Sequence, residues 1–389
     1  MPIASGDPVA LTRALVRVDS RNPSLVPGAP GESGVAELLA GVLADWGFRV
    51  EMHDALPGRP NVVARIGKAG GRTLMFNGHL DVVGVEGMTH DPWGAVEWGD
   101  RIYGRGASDM KSGIAAMCAA AARVAGEIDG EVIVAAVADE EYESAGTRSL
   151  IERGVRADAA IVTEPTGLAI MPAHLGFVWI DVTTHGRAAH GSRWDLGVDA
   201  IRHAGLVLSE LDRFDAESLP KRRHTLLGRP SVHASLISGG IGMSTYPDKC
   251  TIRIERRTIP GESPELARQE LESVCERAGL GRENFRADVS VTFAQEPSDV
   301  AIDAPIVTAL HRALRETNEE VSIQGMTAWT DAALLNAAGI PAICFGPGDI
   351  GLAHAAEEYV IVEEIERATR VLERLAVQWC RDPVASWRS

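Results

Sequence analysis

Acidic and histidine side chains recur where short apolar runs, which we predict to be strands, come to an end. A single histidine or aspartate in such a place is usually a cap or a satisfied polar group, so each one alone predicts little. The segments are His79-Leu80-Asp81, Ser108-Asp109-Met110, Asp139-Glu140-Glu141, Thr163-Glu164-Pro165 and Gly351-Leu352-Ala353-His354. Because loops at the carboxyl ends of parallel strands usually build sites, the combination predicts one shared polar site.

The chemistry of such a site follows from its charges. Several carboxylates that converge with two imidazoles on one sheet edge would form a mutually repelling acidic cluster unless cations neutralised it. Bound metal is the simplest explanation. Carboxylate oxygens mixed with imidazole nitrogens, and without thiolates, suit zinc, cobalt or manganese better than a sulfur-seeking metal.

The elements that must position these residues can be predicted from apolar spacing. Helical spacing and composition predict five helices outside the middle of the chain, and short β-rich or buried runs predict five strands that alternate with them. The predicted helices cover 34–46, 110–125, 147–153, 304–316 and 362–380, and the predicted strands cover 61–66, 73–76, 131–138, 159–162 and 341–345. Strands that alternate with helices indicate an α/β fold with a largely parallel sheet.

The pattern changes in the middle of the chain. Strands are predicted over 177–184, 231–237, 250–257 and 287–293, and helices over 199–214 and 264–278. This β-α-β-β-α-β order is typical of a ferredoxin-like unit. The first pattern resumes after 294–303. We therefore expect a discontinuous catalytic domain over 1–176 and 294–389, with a lid and dimerisation domain inserted over 177–293.

Composition excludes several classes of function. The 389 residues, 45% of them hydrophobic, are typical of a soluble protein of two domains. A net charge of -16 disfavours nucleic acid and anionic membrane surfaces as partners. Five dispersed cysteines favour a reducing compartment. No run reaches the roughly 18 apolar residues of a membrane span, and the first residues lack a signal peptide. We expect a cytoplasmic protein.

Six runs of sequence carry a resemblance to a known family. They are FNGHLDVV, GRGASDMKSG, DEE, TEPT, HGRAAHGS and GLAHAAEEYV. In this order and spacing they resemble the M20 metallopeptidases, the group of acetylornithine deacetylase, succinyl-diaminopimelate desuccinylase, aminoacylase and glutamate carboxypeptidase. The resemblance covers essentially the whole chain. It implies an α/β catalytic domain with a mixed, largely parallel sheet between helices, and an inserted ferredoxin-like α+β lid. It also implies a two-metal amidohydrolase that holds two divalent ions, with zinc preferred over cobalt or manganese.

The resemblance assigns roles to the residues of the strand-end segments. His79 and Glu164 would bind one metal ion, Glu141 and His354 would bind the other, and Asp109 would bridge both. Asp81 would accept the second ring proton of His79, which is the usual support of a metal-bound imidazole. Glu140, which is adjacent to a ligand without being one, would act as general base.

Residues outside these segments are assigned in the same way. His190 of the inserted domain would reach the active site of a partner subunit and stabilise the tetrahedral oxyanion, so we expect a homodimer. Arg257, whose guanidinium matches a carboxylate, would hold that group of the substrate. Trp329 and Asp331 would line the substrate pocket, although packing and helix capping are equally ordinary uses for such residues.

Three departures from the family pattern, at Ser112, Glu143 and Ser244, leave the ligands untouched and put only substrate choice in doubt. The leading interpretation is a deacylase of small N-acyl amino acids. A dipeptidase or carboxypeptidase is the alternative, because the same metals and base would hydrolyse a peptide bond. A scaffold without activity is a third interpretation, against which the retention of Glu140 argues.

Overall fold

The structure, a computed structural model, describes residues 2–381. The helices are α1 (Pro8–Val16), α2 (Ser33–Asp45), α3 (Ser112–Val124), α4 (Ala145–Glu152), α5 (Ala200–Glu217), α6 (Pro264–Ala278), α7 (Pro305–Glu316), α8 (Ala332–Ala337) and α9 (Val362–Arg381). The strands are β1 (Arg49–Leu56), β2 (Arg59–Gly67), β3 (Thr73–His79), β4 (Val96–Trp98), β5 (Arg101–Tyr103), β6 (Glu131–Val137), β7 (Ala159–Val162), β8 (Ile170–His174), β9 (Gly176–His185), β10 (Ser231–Gly239), β11 (Lys249–Thr258), β12 (Arg286–Gln295), β13 (Ser298–Asp299), β14 (Ile323–Met326), β15 (Ala342–Cys344) and β16 (Tyr359–Ile361).

The chain divides into two compact units. The first comprises Met1–Pro172, Val300–Gln324 and Thr330–Ser389, and the second comprises Ala173–Asp299 and Gly325–Trp329. The second unit therefore includes a short segment, 325–329, in addition to 173–299. The apolar pattern of the sequence did not predict that this segment belongs to the second unit.

The main sheet of the first unit is parallel in its centre. Its strand order is β1-β2-β6-β3-β7-β15-β8. Strands β6, β3, β7 and β15 run parallel, whereas the pairings of β2 with β6, of β1 with β2 and of β8 with β15 are antiparallel. Every residue of β6 and β7 is buried, as expected of central strands covered on both faces. The predicted α/β class with a mixed, largely parallel sheet is confirmed.

The second unit is an antiparallel sheet with two helices on one face. Its strand order is β10-β11-β9-β12, and α5 and α6 complete the β-α-β-β-α-β order. Alternate side chains of β9 and β11, such as Ile180 and Ile254, are buried against the apolar faces of the helices. The other face carries the intervening residues, so the strict alternation of the sequence matches a sheet covered on one side.

The structure contains elements that apolar spacing did not predict. The edge strand β1 reads RVEMHDAL and has no buried residue, because an edge strand with exposed faces needs no apolar run. The short strands β4, β5 and β16 pair with one another in a small separate sheet. Among the described residues no helix is long and apolar enough to cross a membrane. The cytoplasmic location stays a prediction.

His174 is a buried histidine of the second unit that is expected to stay neutral. Its exposed fraction is 2%, and Nδ1 donates a hydrogen bond to the carbonyl oxygen of Leu175 at 3.0 Å. The ring meets Trp329 edge to face, with centroids 6.1 Å apart. Burial lowers the pKa of His174 to about 4, because a charged ring in this place would lose its hydration.

Stability of the second unit should therefore depend on the state of His174. The folded pKa lies below the unfolded value, so its contribution is complete above about pH 6.5 and is lost as pH falls towards 4. The loss should reach about 3 kcal/mol in the free energy of unfolding. Urea unfolding of the wild type and of His174→Phe, followed between pH 7 and pH 4, measures it. Parallel pH curves for the two proteins would contradict the prediction.

Candidate active site

The sheet brings three of the predicted segments to the same edge. β3 pairs in parallel with β6, with His79 opposite Val137, and also with β7, with Asn77 opposite Val162. The loops that follow these strands therefore leave the sheet side by side. They carry Asp81, the segment 139–141 and Glu164. The register of the parallel strands thus determines which acids become neighbours.

Helix α3 brings the segment that carries Asp109 against this edge. Gly113, in the first turn of α3, has no side chain, and a Cβ atom there would lie 1.9 Å from the carbonyl oxygen of Thr163. Only glycine permits that approach. The helix therefore packs directly against the residue that precedes Glu164, with Asp109 just before its N-terminus.

Asp109 lies between the two histidines. Its Oδ1 is 3.1 Å from Nε2 of His79, and its Oδ2 is 3.5 Å from Nε2 of His354. His79 Nε2 is also 4.0 Å from Oε1 of Glu164, and His354 Nε2 is 3.0 Å from Oε2 of Glu141. The carboxylate of Asp109 is thus shared by two groups of side chains, one formed by His79 and Glu164 and the other by His354 and Glu141.

The donor atoms form tight clusters in the described part of the chain. Ligand atoms of His79, Asp109 and Glu141 all lie within 4.8 Å of one another, and so do those of His79, Glu140 and Glu164. Glu140 is therefore as close to His79 as a ligand would be. Distance alone does not separate the expected base from the expected ligands.

Proton affinities in the cluster reflect its surplus of negative charge. Burial raises the pKa of Glu140 and of Glu164 well above the usual range, and the surrounding carboxylates add to the effect. Burial opposes charge on His79, but its hydrogen bond to Asp109 and the nearby carboxylates raise its pKa well above the usual value. Hydrogen bonds to Asp109 and Glu141 raise the pKa of His354 to about 10. Carboxylates that resist ionisation beside histidines that attract protons indicate a place that favours positive charge.

Divalent metal fits this donor set. A cation would neutralise the carboxylates and replace the protons on the imidazoles, because metal ligands must be deprotonated. The donors are oxygen and imidazole nitrogen, which suits zinc, cobalt or manganese. His79 donates from Nδ1 to a carbonyl oxygen at 2.9 Å, so the nitrogen that would face a metal is Nε2, which meets Asp109 at 3.1 Å.

The hydrogen bond that orients His79 is accepted by a different atom of Asp81 from the one expected. Nδ1 donates to the backbone carbonyl oxygen of Asp81, whereas the nearer carboxylate oxygen of Asp81 is 3.7 Å away. The carboxylate instead accepts the backbone N–H groups of Glu140 and Glu141, at 3.1 and 3.2 Å, and the side-chain amide of Asn22 at 2.8 Å. Asp81 therefore orients His79 through its main chain. Its side chain is used to hold the loop that carries Glu140.

A buried network behind that loop escaped the sequence analysis. Arg59 donates to both carboxylate oxygens of Glu32, at 2.8 and 2.5 Å, and to Asp139 at 2.8 Å. Asn22 joins Asp139 to Asp81 through its amide, with distances of 3.1 and 2.8 Å. Glu32 also accepts the N–H of Asp139 at 3.1 Å. No sequence motif marks Glu32, Arg59 or Asn22, because their partners are remote along the chain.

Asp331 lies in the first unit and is 1% exposed. Thr147 donates to its Oδ2 at 2.6 Å, whereas Oδ1 has no partner among the described residues. Burial raises the pKa of Asp331 to about 6. Its predicted contact with substrate stays a prediction. It begins α8 without accepting a capping hydrogen bond from the helix.

The other predicted residues belong to the second unit. His190 is exposed, and its Nδ1 is 2.8 Å from the hydroxyl of Ser192. Arg257 donates from Nε to Glu255 at 2.7 Å. Trp329 donates from Nε1 to the carbonyl oxygen of Glu296 at 3.0 Å. Their roles towards substrate stay predictions.

Comparisons with known proteins agree with this arrangement. The profile of Peptidase family M20/M25/M40 matches residues 75–378. Acetylornithine deacetylase of Myxococcus xanthus is 33% identical over 343 residues, covering 86% of this chain and 89% of that protein. N-formyl-4-amino-5-aminomethyl-2-methylpyrimidine deformylase of Bacillus subtilis strain 168 is 28% identical over 395 residues, with 91% of each chain covered. Aminopeptidase PepT from Bacillus cereus ATCC 10987 shares the fold, with a TM-score of 0.77 at 20% identity, and covers 98% of this chain and 100% of its own.

The matched span contains every residue that the sequence predicted as a metal ligand, from His79 to His354. The relatives are matched over nearly their whole length, so the likeness extends beyond the metal segments. The family expected from the six sequence runs is thereby confirmed. The chain belongs to peptidase family M20/M25/M40 and is a metal-dependent amidohydrolase.

Proposed function

We propose that this amidohydrolase cleaves the amide bond of a small N-acylated amino acid, with Glu140 as general base. The observation that carries the proposal is the position of Asp109, whose two carboxylate oxygens lie 3.1 and 3.5 Å from different histidines. A carboxylate shared by two donor sets suits a pair of divalent ions. His79 and Glu164 would hold one ion, and Glu141 and His354 the other, with zinc preferred over cobalt or manganese.

The chain itself supplies proton transfer. When bound, the two ions would polarise the amide carbonyl and lower the pKa of a water molecule. Burial first, and then the charges of Glu164 and Asp331, raise the pKa of Glu140 well above the usual range. A carboxylate whose pKa is raised holds a proton more readily than an ordinary glutamate, so Glu140 can take the proton of the water and deliver it to the leaving amine. A scaffold without activity would have no use for that group.

The substrate class is supported by the relatives and by Arg257. The Myxococcus xanthus relative bears the name of a deacetylase of an acylated amino acid. Arg257 has its Nε occupied by Glu255, which leaves the outer nitrogens of the guanidinium to bind a substrate carboxylate. A desuccinylase acting on an acylated diamino acid fits the same description. A dipeptide also carries a carboxylate, so a dipeptidase is the alternative.

A substrate panel should separate these possibilities. We expect the zinc- or cobalt-loaded protein to turn over one N-acyl amino acid faster than any dipeptide, and a chelator to abolish the activity. The panel would include N-acetyl-ornithine, N-succinyl-diaminopimelate, other N-acyl amino acids and dipeptides, each with kcat/KM measured. A preference for dipeptides would move the assignment to a peptidase. Absence of metal-dependent turnover on every compound would refute the proposal.

Glu140 can be tested against its neighbour Glu141. Glu140→Gln should retain nearly all of the metal and lose roughly two to four orders of magnitude in kcat, because only proton transfer is removed. Glu141→Gln should lose metal as well as activity, because a ligand is removed. Metal content by elemental analysis and kcat on the best substrate of the panel distinguish the two variants. An active Glu140→Gln protein would rule out its role as base.

The second unit supports the expected homodimer through its edge strand β10. This strand lies at one end of the sheet, so one side of its backbone is unpaired within the described chain. Large apolar side chains are exposed along it and in the turn that follows, with Leu236 60%, Ile237 55% and Ile241 82% exposed. Exposed apolar edges usually attract another strand. We assign this edge to a second copy of the chain, in a two-fold pairing of β10 with β10.

Charge placed on this edge should separate the subunits. Ile237→Lys should shift the mass measured by light scattering from dimer to monomer, because a buried lysine would be desolvated at the interface. Ser290→Lys on the opposite edge strand β12 is the matched control and should stay dimeric. If His190 acts in the partner's site, the monomer should also lose turnover while it keeps its metal. A wild type that is monomeric at micromolar concentration would exclude the dimer.

A further inference from the structure

Glu358 is a fully buried carboxylate to which no role in the reaction has been assigned. Its Oε1 accepts the backbone N–H groups of Ser108 and Asp109, both at 3.0 Å. Its Oε2 accepts a hydrogen bond from Arg105 at 2.6 Å. The exposed fraction of Glu358 is 0%, and the side chain of Arg105 is 3% exposed. Both oxygens are therefore occupied by the protein, so Glu358 is not itself available as a metal ligand.

The hydrogen bonds of Glu358 join two segments that are remote along the chain. Glu358 lies four residues after His354, whereas Ser108 and Asp109 precede helix α3. A second connection lies before His354, where the hydroxyl of Ser108 donates to the carbonyl oxygen of Asp349 and accepts its N–H, both at 3.1 Å. The loop that carries His354 is thus tied at both ends to the segment that carries Asp109.

His354 needs such support more than the other expected ligands do. Its side chain is 53% exposed, compared with 2% for His79, so packing contributes little to its position. Its backbone has a φ angle of +61°, a left-handed conformation that non-glycine residues rarely adopt without support from their surroundings. The ties at Asp349 and Glu358 are placed on either side of that strained residue.

We propose that Glu358 is a positioning residue that fixes Asp109 relative to His354, with the Ser108 hydroxyl as the second tie. It acts by holding the backbone of Asp109 and the loop that carries His354, and it does not touch substrate. The inference rests on the metal centre of the proposed function. Residues that support metal ligands typically contribute about 10- to 100-fold to metal affinity. Arg105 donates to Glu358 at 2.6 Å and so holds the second oxygen of the buried carboxylate in place.

Zinc affinity of the metal-free protein tests the proposal without relying on activity. Glu358→Gln leaves a single oxygen to serve both the two N–H groups and Arg105, so the affinity for at least one of the two zinc ions should fall about 10- to 100-fold. Glu358→Ala should lose more. Titration against a chromophoric chelator gives the affinities, and elemental analysis gives the number of ions bound.

A matched control separates positioning from ordinary stability. Glu262 in the second unit is likewise buried, accepts the N–H of Ile259 at 3.1 Å and pairs with Arg256 at 3.0 Å. Glu262→Gln should lower the melting temperature of the metal-free protein and leave zinc affinity unchanged. If Glu358→Gln instead behaves as Glu262→Gln does, the positioning role is wrong.

Two further outcomes have definite meanings. If neither Glu358 variant folds, Ser108→Ala takes over the test, because it removes the second tie, and unchanged zinc affinity in that variant would overturn the proposal. If the wild type itself does not bind two zinc ions, the metal centre of the proposed function fails. A wild type that binds two ions beside a Glu358→Gln protein with the same affinities would reject the positioning role alone.

Discussion

Repulsion among the buried carboxylates at the edge of the main sheet is the constraint on which the rest of the structure depends. Two unit charges about 4 Å apart repel by about 4 kcal/mol at an effective dielectric constant of about 20. Ligand atoms of Asp109 and Glu141 lie within 4.8 Å of each other, and so do those of Glu140 and Glu164, so at least two such repulsions are present. Their sum is comparable with the whole stability of a typical domain. The fold can hold these groups together only when positive charge, from protons or from metal, is present among them.

The protein uses further carboxylates to hold the loops that carry this cluster. Asp81 accepts the N–H groups of Glu140 and Glu141, and Glu358 accepts those of Ser108 and Asp109. Each makes charge-assisted hydrogen bonds, which are stronger than neutral ones. Arg105 balances part of the charge of Glu358, and Arg59 part of the charge of Asp139, which precedes Glu140. The ligands are therefore positioned from their backbones, which leaves their side chains free for metal.

The two units meet different physical demands. The first buries its sheet and places its polar groups where the parallel strands end, which gives a rigid site. The second covers one face of an antiparallel sheet with helices and keeps an apolar edge at β10. An unpaired apolar edge is a liability in an isolated unit, and the proposed pairing with a second copy of the chain would cover it. In the second unit, buried apolar residues alternate with more exposed residues along β9 and β11, whereas β10 carries exposed apolar residues.

The sequence alone determined the fold class, the helices and strands with strong apolar periodicity, and the residues expected as ligands, because these depend on local spacing and on short motifs. The limits of α6 (Pro264–Ala278) and β7 (Ala159–Val162) were predicted to the residue. Only the tertiary structure decided that the main chain of Asp81 meets His79, that Arg59 joins Glu32 to Asp139, and that Glu358 holds Asp109. Glu358 and Asp109 are 249 residues apart. Hydrogen bonds between such remote residues leave no periodic trace in a sequence, since they depend on how the loops pack.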